Sequence, residues 1–128
     1  MNSKCPCGSG VKYKKCCKPY HSGAKAPNAL VLMKSRYSAY VVGDSNYIIK
    51  TTHKDNYDFR NDKKIWKSEI IGFCQNTDFY GLDILDFIDG ADEAFVIFKA
   101  SLSSGNMIEK SRFLRVDGSW LYLSGEIF

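Results

Sequence analysis

Four of the five cysteines in this 128-residue chain fall close together, as Cys5-Pro6-Cys7 and then Cys16-Cys17. Two sulfur pairs separated by a short loop make a chelating pattern. Tetrahedral zinc takes four soft or borderline donors at about 2.0–2.3 Å, and a chain reversal between the pairs brings four thiolates round one ion. Gly8 and Gly10 lie in that loop and permit the positive φ that a tight reversal needs. A disulfide reading would pair Cys5 or Cys7 with one of the adjacent Cys16 and Cys17, and it would go with a secretory leader. Met1-Asn2-Ser3-Lys4 leads into the cysteines with no apolar region. Paired cysteines in a reducing compartment point to metal instead. The expected site is therefore one structural zinc held by Cys5, Cys7, Cys16 and Cys17, with His21 as the alternative to Cys17. Four protein ligands leave no open position at which the ion can activate water, which argues against metal catalysis.

The run Cys5-Pro6-Cys7-Gly8-Ser9-Gly10-Val11-Lys12-Tyr13-Lys14-Lys15-Cys16-Cys17 resembles the SEC-C motif, the zinc-binding tail of the bacterial translocase motor SecA, which also occurs in other proteins. Farther on, Leu32-Met33-Lys34-Ser35-Arg36-Tyr37-Ser38-Ala39-Tyr40, with Asp44, Tyr47, His53 and Ser111-Arg112-Phe113, resembles the YchJ family of bacterial proteins. The resemblance implies a SEC-C-like zinc-binding motif over residues 1–22 and a nuclear-transport-factor-2-like domain over 27–128. In that fold helices pack on a curved antiparallel sheet to form a cone with a cavity. It also implies, for the knuckle, contact with a chaperone such as SecB or with the ribosome, as the SecA tail makes. No second copy of the motif occurs in the sequence.

Beyond the cysteines, three residues are candidates for lining such a pocket. Arg36, among apolar neighbours, offers a planar fork of donors for an anion; the favoured expectation is a structural pair with a sheet carboxylate, Asp83 or Glu109. His53 follows a short helix, where a histidine ordinarily meets the terminal carbonyls, and its neighbours Asp55 and Asp58 do not suffice to make it catalytic. Arg112 and Arg115 are three positions apart, an odd spacing that points them to opposite faces of a strand; Arg112 is the better pocket candidate. Asp44, Tyr47, Tyr57 and Asp58 form a polar set whose convergence sequence spacing does not decide. Trp66 and Trp120 read as core, and Cys74 as a buried hydrophobe at a helix end. No nucleophile elbow, phosphate loop, dinucleotide fingerprint or metalloprotease helix is present.

With 45% hydrophobic and 14% aromatic residues the chain is not disordered, and no apolar run approaches the length of a bilayer span. A cytoplasmic, reduced protein is expected. Charge is uneven. Six of the 18 basic residues and none of the 14 acidic ones lie in residues 1–25, leaving 12 against 14 in the rest. A basic head on a near-neutral body can steer toward an anionic partner, or can merely offset the charge of four thiolates.

The elements that must position these residues follow from periodicity. Pro19 to Pro27 reads as a linker. A helix is expected from Asn28 to Gly43, with Leu30, Met33, Tyr37, Tyr40 and Val41 as its apolar stripe. A short helix capped by Asp44 or Ser45 runs to Thr52 or His53, and residues 54–61 are loop. A third helix, capped by Asn61 or Asp62, runs to about Phe73 with Ile65, Trp66, Ile70 and Phe73 inward. Strands are expected at Phe79–Ile88, Glu93–Leu102, Met107–Val116 and Ser119–Leu123, joined by turns that include Asp89-Gly90 and Asp117-Gly118. Helices followed by a meander make an α+β fold.

Function is expected to be that of a non-enzymatic zinc-binding adaptor whose knuckle meets a protein partner or the ribosome. A small-ligand or enzymatic pocket is the alternative, and nucleic-acid binding through the basic N-terminus is a third. Because so small a module lacks a core of its own, chelation is expected to unfold residues 4–18 and spare the α+β body.

Overall fold

The computed structural model describes residues 3–128. The fold is α+β, with four helices on a four-stranded antiparallel sheet. After a single 3-10 turn at Tyr13–Lys15 come α1 (Lys18–His21), α2 (Ala29–Val42), α3 (Ser45–Lys50) and α4 (Lys63–Gln75). The strands β1 (Phe79–Ile88), β2 (Glu93–Leu102), β3 (Gly105–Val116) and β4 (Ser119–Ile127) are joined in sequence order as a meander. The segment read as a linker thus begins with one helical turn, and β4 runs four residues past the expected Leu123.

Local chemistry explains where the helices start and stop. Asn28 caps α2 by accepting from Val31 N at 2.9 Å, Asp44 caps α3 through Tyr47 N, and Asp62 caps α4 through Lys64 N and Ile65 N. Gly43 ends α2 in the left-handed conformation (φ 79°), which costs a residue without Cβ nothing. Asp117 and Gly118 both have positive φ (50° and 81°), as a two-residue hairpin between right-twisted strands requires.

The core lies between the helices and one face of the sheet. Ala94, Val96, Phe98 and Ala100 of β2 point inward, with Phe113 of β3 and Trp120 of β4. A register shift in β1 between Ile84 and Asp86 turns Phe87 toward the core in place of Asp86, and Leu85 and Ile88 face outward. Strict in-and-out alternation therefore breaks at this bulge. On α4 only Trp66 and Ile70 are buried, while Ile65 and Phe73 are about half exposed.

Helix α2 is the central element, and it is buried on more than the expected stripe. Met33, Arg36, Tyr37 and Tyr40 look toward α4 and the sheet. Ser35, Ser38 and Ala39 are wholly buried as well, whereas Val41 is exposed. Two layers therefore press on this helix, the sheet side and the cysteine-bearing N-terminus. The chain leaving α3 closes the sheet edge: Tyr122 N donates to Thr51 O and His53 N to Tyr122 O, both at 2.9 Å.

Phe113 is 1% exposed at the centre of this core. Phe113→Ala is expected to cost about 3–5 kcal/mol, read as a lower urea midpoint with an unchanged slope. A loss below about 1 kcal/mol would contradict the packing described.

Candidate functional site

The cysteines are gathered by a miniature hairpin. Lys4 and Lys12 form an antiparallel bridge, Cys5 N donates to Val11 O at 2.8 Å, and Tyr13 N donates to Ser3 O at 2.9 Å. Gly8 and Gly10 (φ 84° and 81°) make the reversal at its tip. The following 3-10 turn and α1 swing Cys16 and Cys17 back to the first pair. All four Sγ atoms lie within 4.8 Å of one another, and Cys5, Cys7 and Cys17 are buried.

This geometry fits a tetrahedral ion. With metal–sulfur bonds of about 2.3 Å, sulfurs at tetrahedral corners stand about 3.8 Å apart. Cys7 Sγ and Cys16 Sγ are 3.7 Å apart, far beyond a sulfur–sulfur bond of about 2.05 Å. All five cysteines are free thiols. As thiols the four share charge unevenly. The Cys17 thiol donating to Cys7 holds Cys7 down to about 4, against burial that acts the other way. The same contact, with burial, pushes Cys17 up, and burial pushes Cys16 up. Metal binding at the cluster must therefore displace the protons that Cys16 and Cys17 hold and release them to solvent.

A serine from α2 seats the cluster. Ser38 Oγ donates to Cys17 Sγ at 3.3 Å and lies 3.4 Å from Cys5 Sγ, and Ser38 is fully buried. On the exposed side, Ser9 Oγ is 3.1 Å from Cys16 Sγ. Such outer-shell hydroxyls orient sulfur and moderate its charge. His21 stands apart from the thiols. Its Nε2 lies 2.8 Å from Ser35 O and its Nδ1 2.7 Å from the Tyr13 hydroxyl. A carbonyl only accepts, so Nε2 carries the proton and Nδ1 accepts from Tyr13. The imidazole also packs on Tyr47, with centroids 4.7 Å apart. Both ring nitrogens are thus spent on fastening the hairpin and α1 to α2. These contacts run from sulfur into the domain's buried helix, so the hairpin is packed against the domain.

Behind α2 lies a cavity of about 380 Å³ between α2, α4 and the sheet. Its walls are mostly apolar and include the rings of Trp66, Phe73, Phe79 and Phe98. The three pocket candidates part company here. Arg36 lines the cavity but pairs with neither Asp83 nor Glu109. Its Nη1 donates to Ile48 O at 3.2 Å, Thr51 Oγ1 at 2.8 Å and Thr52 Oγ1 at 3.1 Å, and its guanidinium covers the Tyr122 ring at 4.7 Å. A cation at the C-terminus of α3 complements the carbonyls there, which removes the need for a carboxylate.

Arg112 is not in the cavity. It projects from the outer face of β3, half exposed, and its Nε bonds Glu93 Oε2 at 2.6 Å. The inward set on β3 is Glu109, Ser111 and Phe113, because that is the face the helices cover. His53 is buried yet outside the cavity lining: its Nδ1 accepts from Asp55 N at 3.0 Å, so it closes a turn. Asp44, Tyr47, Tyr57 and Asp58 do not converge, since Asp44 caps α3, Tyr47 bonds Ser35, Tyr57 is fully exposed and only Asp58 reaches the cavity. Sequence reasoning missed Ser38 and Tyr122. The cue for Ser38 was a run of small residues, Ser35, Ser38 and Ala39, at helical spacing beside the apolar stripe.

With this geometry in view, the comparisons with known proteins are specific. Residues 28–125 match the family described as YchJ, middle NTF2-like domain, and residues 1–19 match the SEC-C motif. A UPF0225 protein of Streptomyces coelicolor is 41% identical over 126 residues, covering 95% of this chain and 94% of that protein. A UPF0225 protein of Serratia proteamaculans is 39% identical over 134 residues, covering 98% of this chain and 84% of that one. The solution structure of a SEC-C motif containing protein from Rhodopseudomonas palustris superposes with a TM-score of 0.80 at 29% identity, over 100% of this chain and 99% of that one. A crystal structure of a SEC-C motif containing protein from Psychrobacter arcticus gives the same TM-score and identity over 97% of this chain and 82% of the other. An N-terminal SEC-C motif set against an NTF2-like domain, with relatives matching nearly end to end, places this chain in the YchJ (UPF0225) family.

Proposed function

We propose that this chain is a non-enzymatic, zinc-binding adaptor of the bacterial cytoplasm, with one structural zinc held by Cys5, Cys7, Cys16 and Cys17. The observation that carries the reading is the approach of four Sγ atoms to within 4.8 Å of one another, three of them on buried residues. An all-sulfur tetrahedral set selects zinc over the harder divalent cations, and four protein donors keep the ion structural. Zinc fixes the hairpin and the turn after it, which carry Lys4, Lys12, Lys14, Lys15 and Lys18, all exposed. The resemblance to the SecA tail supports a chaperone such as SecB, or the ribosome, as the partner.

A second reading is favoured by the cavity of about 380 Å³, a size suited to a small organic ligand. In that reading the domain carries a ligand and the knuckle a partner.

Protein purified under reducing conditions is expected to hold one zinc per chain and to lose it with Cys16→Ser. Wild-type protein is expected to recover a chaperone or ribosomal particle from bacterial lysate at low salt, and the variant is not. Equal recovery by Cys16→Ser would remove the knuckle from the recognition surface, and recovery of nucleic acid with neither a chaperone nor ribosomal proteins would turn the reading to nucleic acid. Ser38→Ala should weaken zinc binding about 10–100-fold in a chelator competition. Unchanged affinity would show that the buried hydroxyl does not support the sulfurs.

A further inference from the structure

Two opposite charges that do not meet, Arg36 and Glu109, line the cavity; of the other charged residues along it, Arg60 and Glu69 pair with each other at 2.6 Å and Asp58 is exposed. Arg36 is 7% exposed, and Nη1 alone makes its three hydrogen bonds. Nε and Nη2 have no partner among the described residues, although a guanidinium carries five N–H donors. No buried side-chain nitrogen or oxygen among those residues lacks a partner, so these donors open onto the cavity. Glu109 lines the same cavity, where its Oε2 accepts from the hydroxyls of Tyr122 (3.1 Å) and Ser111. The Tyr122 side chain separates the two charges, with Arg36 on its ring face and Glu109 at its hydroxyl.

From this arrangement we infer that the cavity takes an uncharged, flat, apolar molecule with one polar end that accepts from Arg36 and donates to Glu109, as a lactam or cyclic amide does. The inference rests on reading the cavity as a ligand site. An anion would gain from Arg36 but would face the fixed Glu109 carboxylate, and a cation would meet the converse. A wholly apolar molecule would strip water from both charges without replacing its hydrogen bonds. A neutral head with a donor beside an acceptor satisfies both, and the rings of Trp66, Phe79 and Phe98 in the wall favour a planar body.

The test uses the full chain and three bicyclic probes: the lactam carbostyril, the naphthoate anion and naphthalene, titrated by heteronuclear NMR. Carbostyril is expected to shift resonances of the cavity residues, Trp66 and Phe98 among them, and to bind about tenfold more tightly than either other probe. Ile70→Trp, which fills the cavity, should abolish those shifts. Glu109→Gln keeps both hydroxyl partners but removes the charge, and should raise naphthoate affinity about tenfold, a gain that misfolding does not mimic. Naphthoate binding the wild type as tightly as carbostyril, or gaining nothing from Glu109→Gln, would overturn the inferred head group and leave the cavity reading standing. No cavity shifts with any of the three probes would overturn both.

Discussion

The Ser38 hydroxyl, held between the sulfurs of Cys5 and Cys17, is the contact on which the arrangement of this molecule depends. It fixes the distance between the cysteine hairpin and α2, and so dictates what that helix can carry. Its hairpin side must be small, which Ser35, Ser38 and Ala39 provide, all wholly buried. Its other side must fill the space over the sheet, which Met33, Arg36, Tyr37 and Tyr40 do. One helix thus serves as floor to the sulfurs and wall to the cavity. His21 repeats the logic a turn away, bonded to Tyr13 on the hairpin and to Ser35 O on the helix.

The cavity side depends on a second constraint, the burial of Arg36. A buried guanidinium is costly unless its donors are used. Three of its bonds tie α2 to the end of α3, and its face stacks on Tyr122 of β4. Tyr122 in turn pairs its backbone with Thr51 and His53. A single side chain therefore joins the two central helices to the edge strand, and the donors left over face the cavity.

Much of this was legible in the sequence, for identifiable reasons. The cysteine spacing encodes a chelating hairpin because two reversals suffice to bring two sulfur pairs together. Asn28, Asp44 and Asp62 read as caps because their side chains answer local backbone donors. The Asp117-Gly118 turn was equally local, whereas Asp89-Gly90 falls in a longer connection between Ile88 and Glu93. What failed was tertiary. Which face of β3 points inward depends on where the helices lie, and Lys110-Arg112-Leu114 competes evenly with Glu109-Ser111-Phe113 until they are placed. The bulge in β1 hides the inward turn of Phe87. Ser38 looks like a surface residue because its partners are sulfurs 33 and 21 residues away.

Hydrogen exchange with and without a zinc chelator tests the central claim, that the sulfur cluster and α2 are one cooperative unit. Removal of the ion is predicted to speed exchange at the α2 amides from Ser35 to Ala39 along with those of residues 5–17. Faster exchange confined to residues 5–17, with α2 as protected as before, would contradict the account.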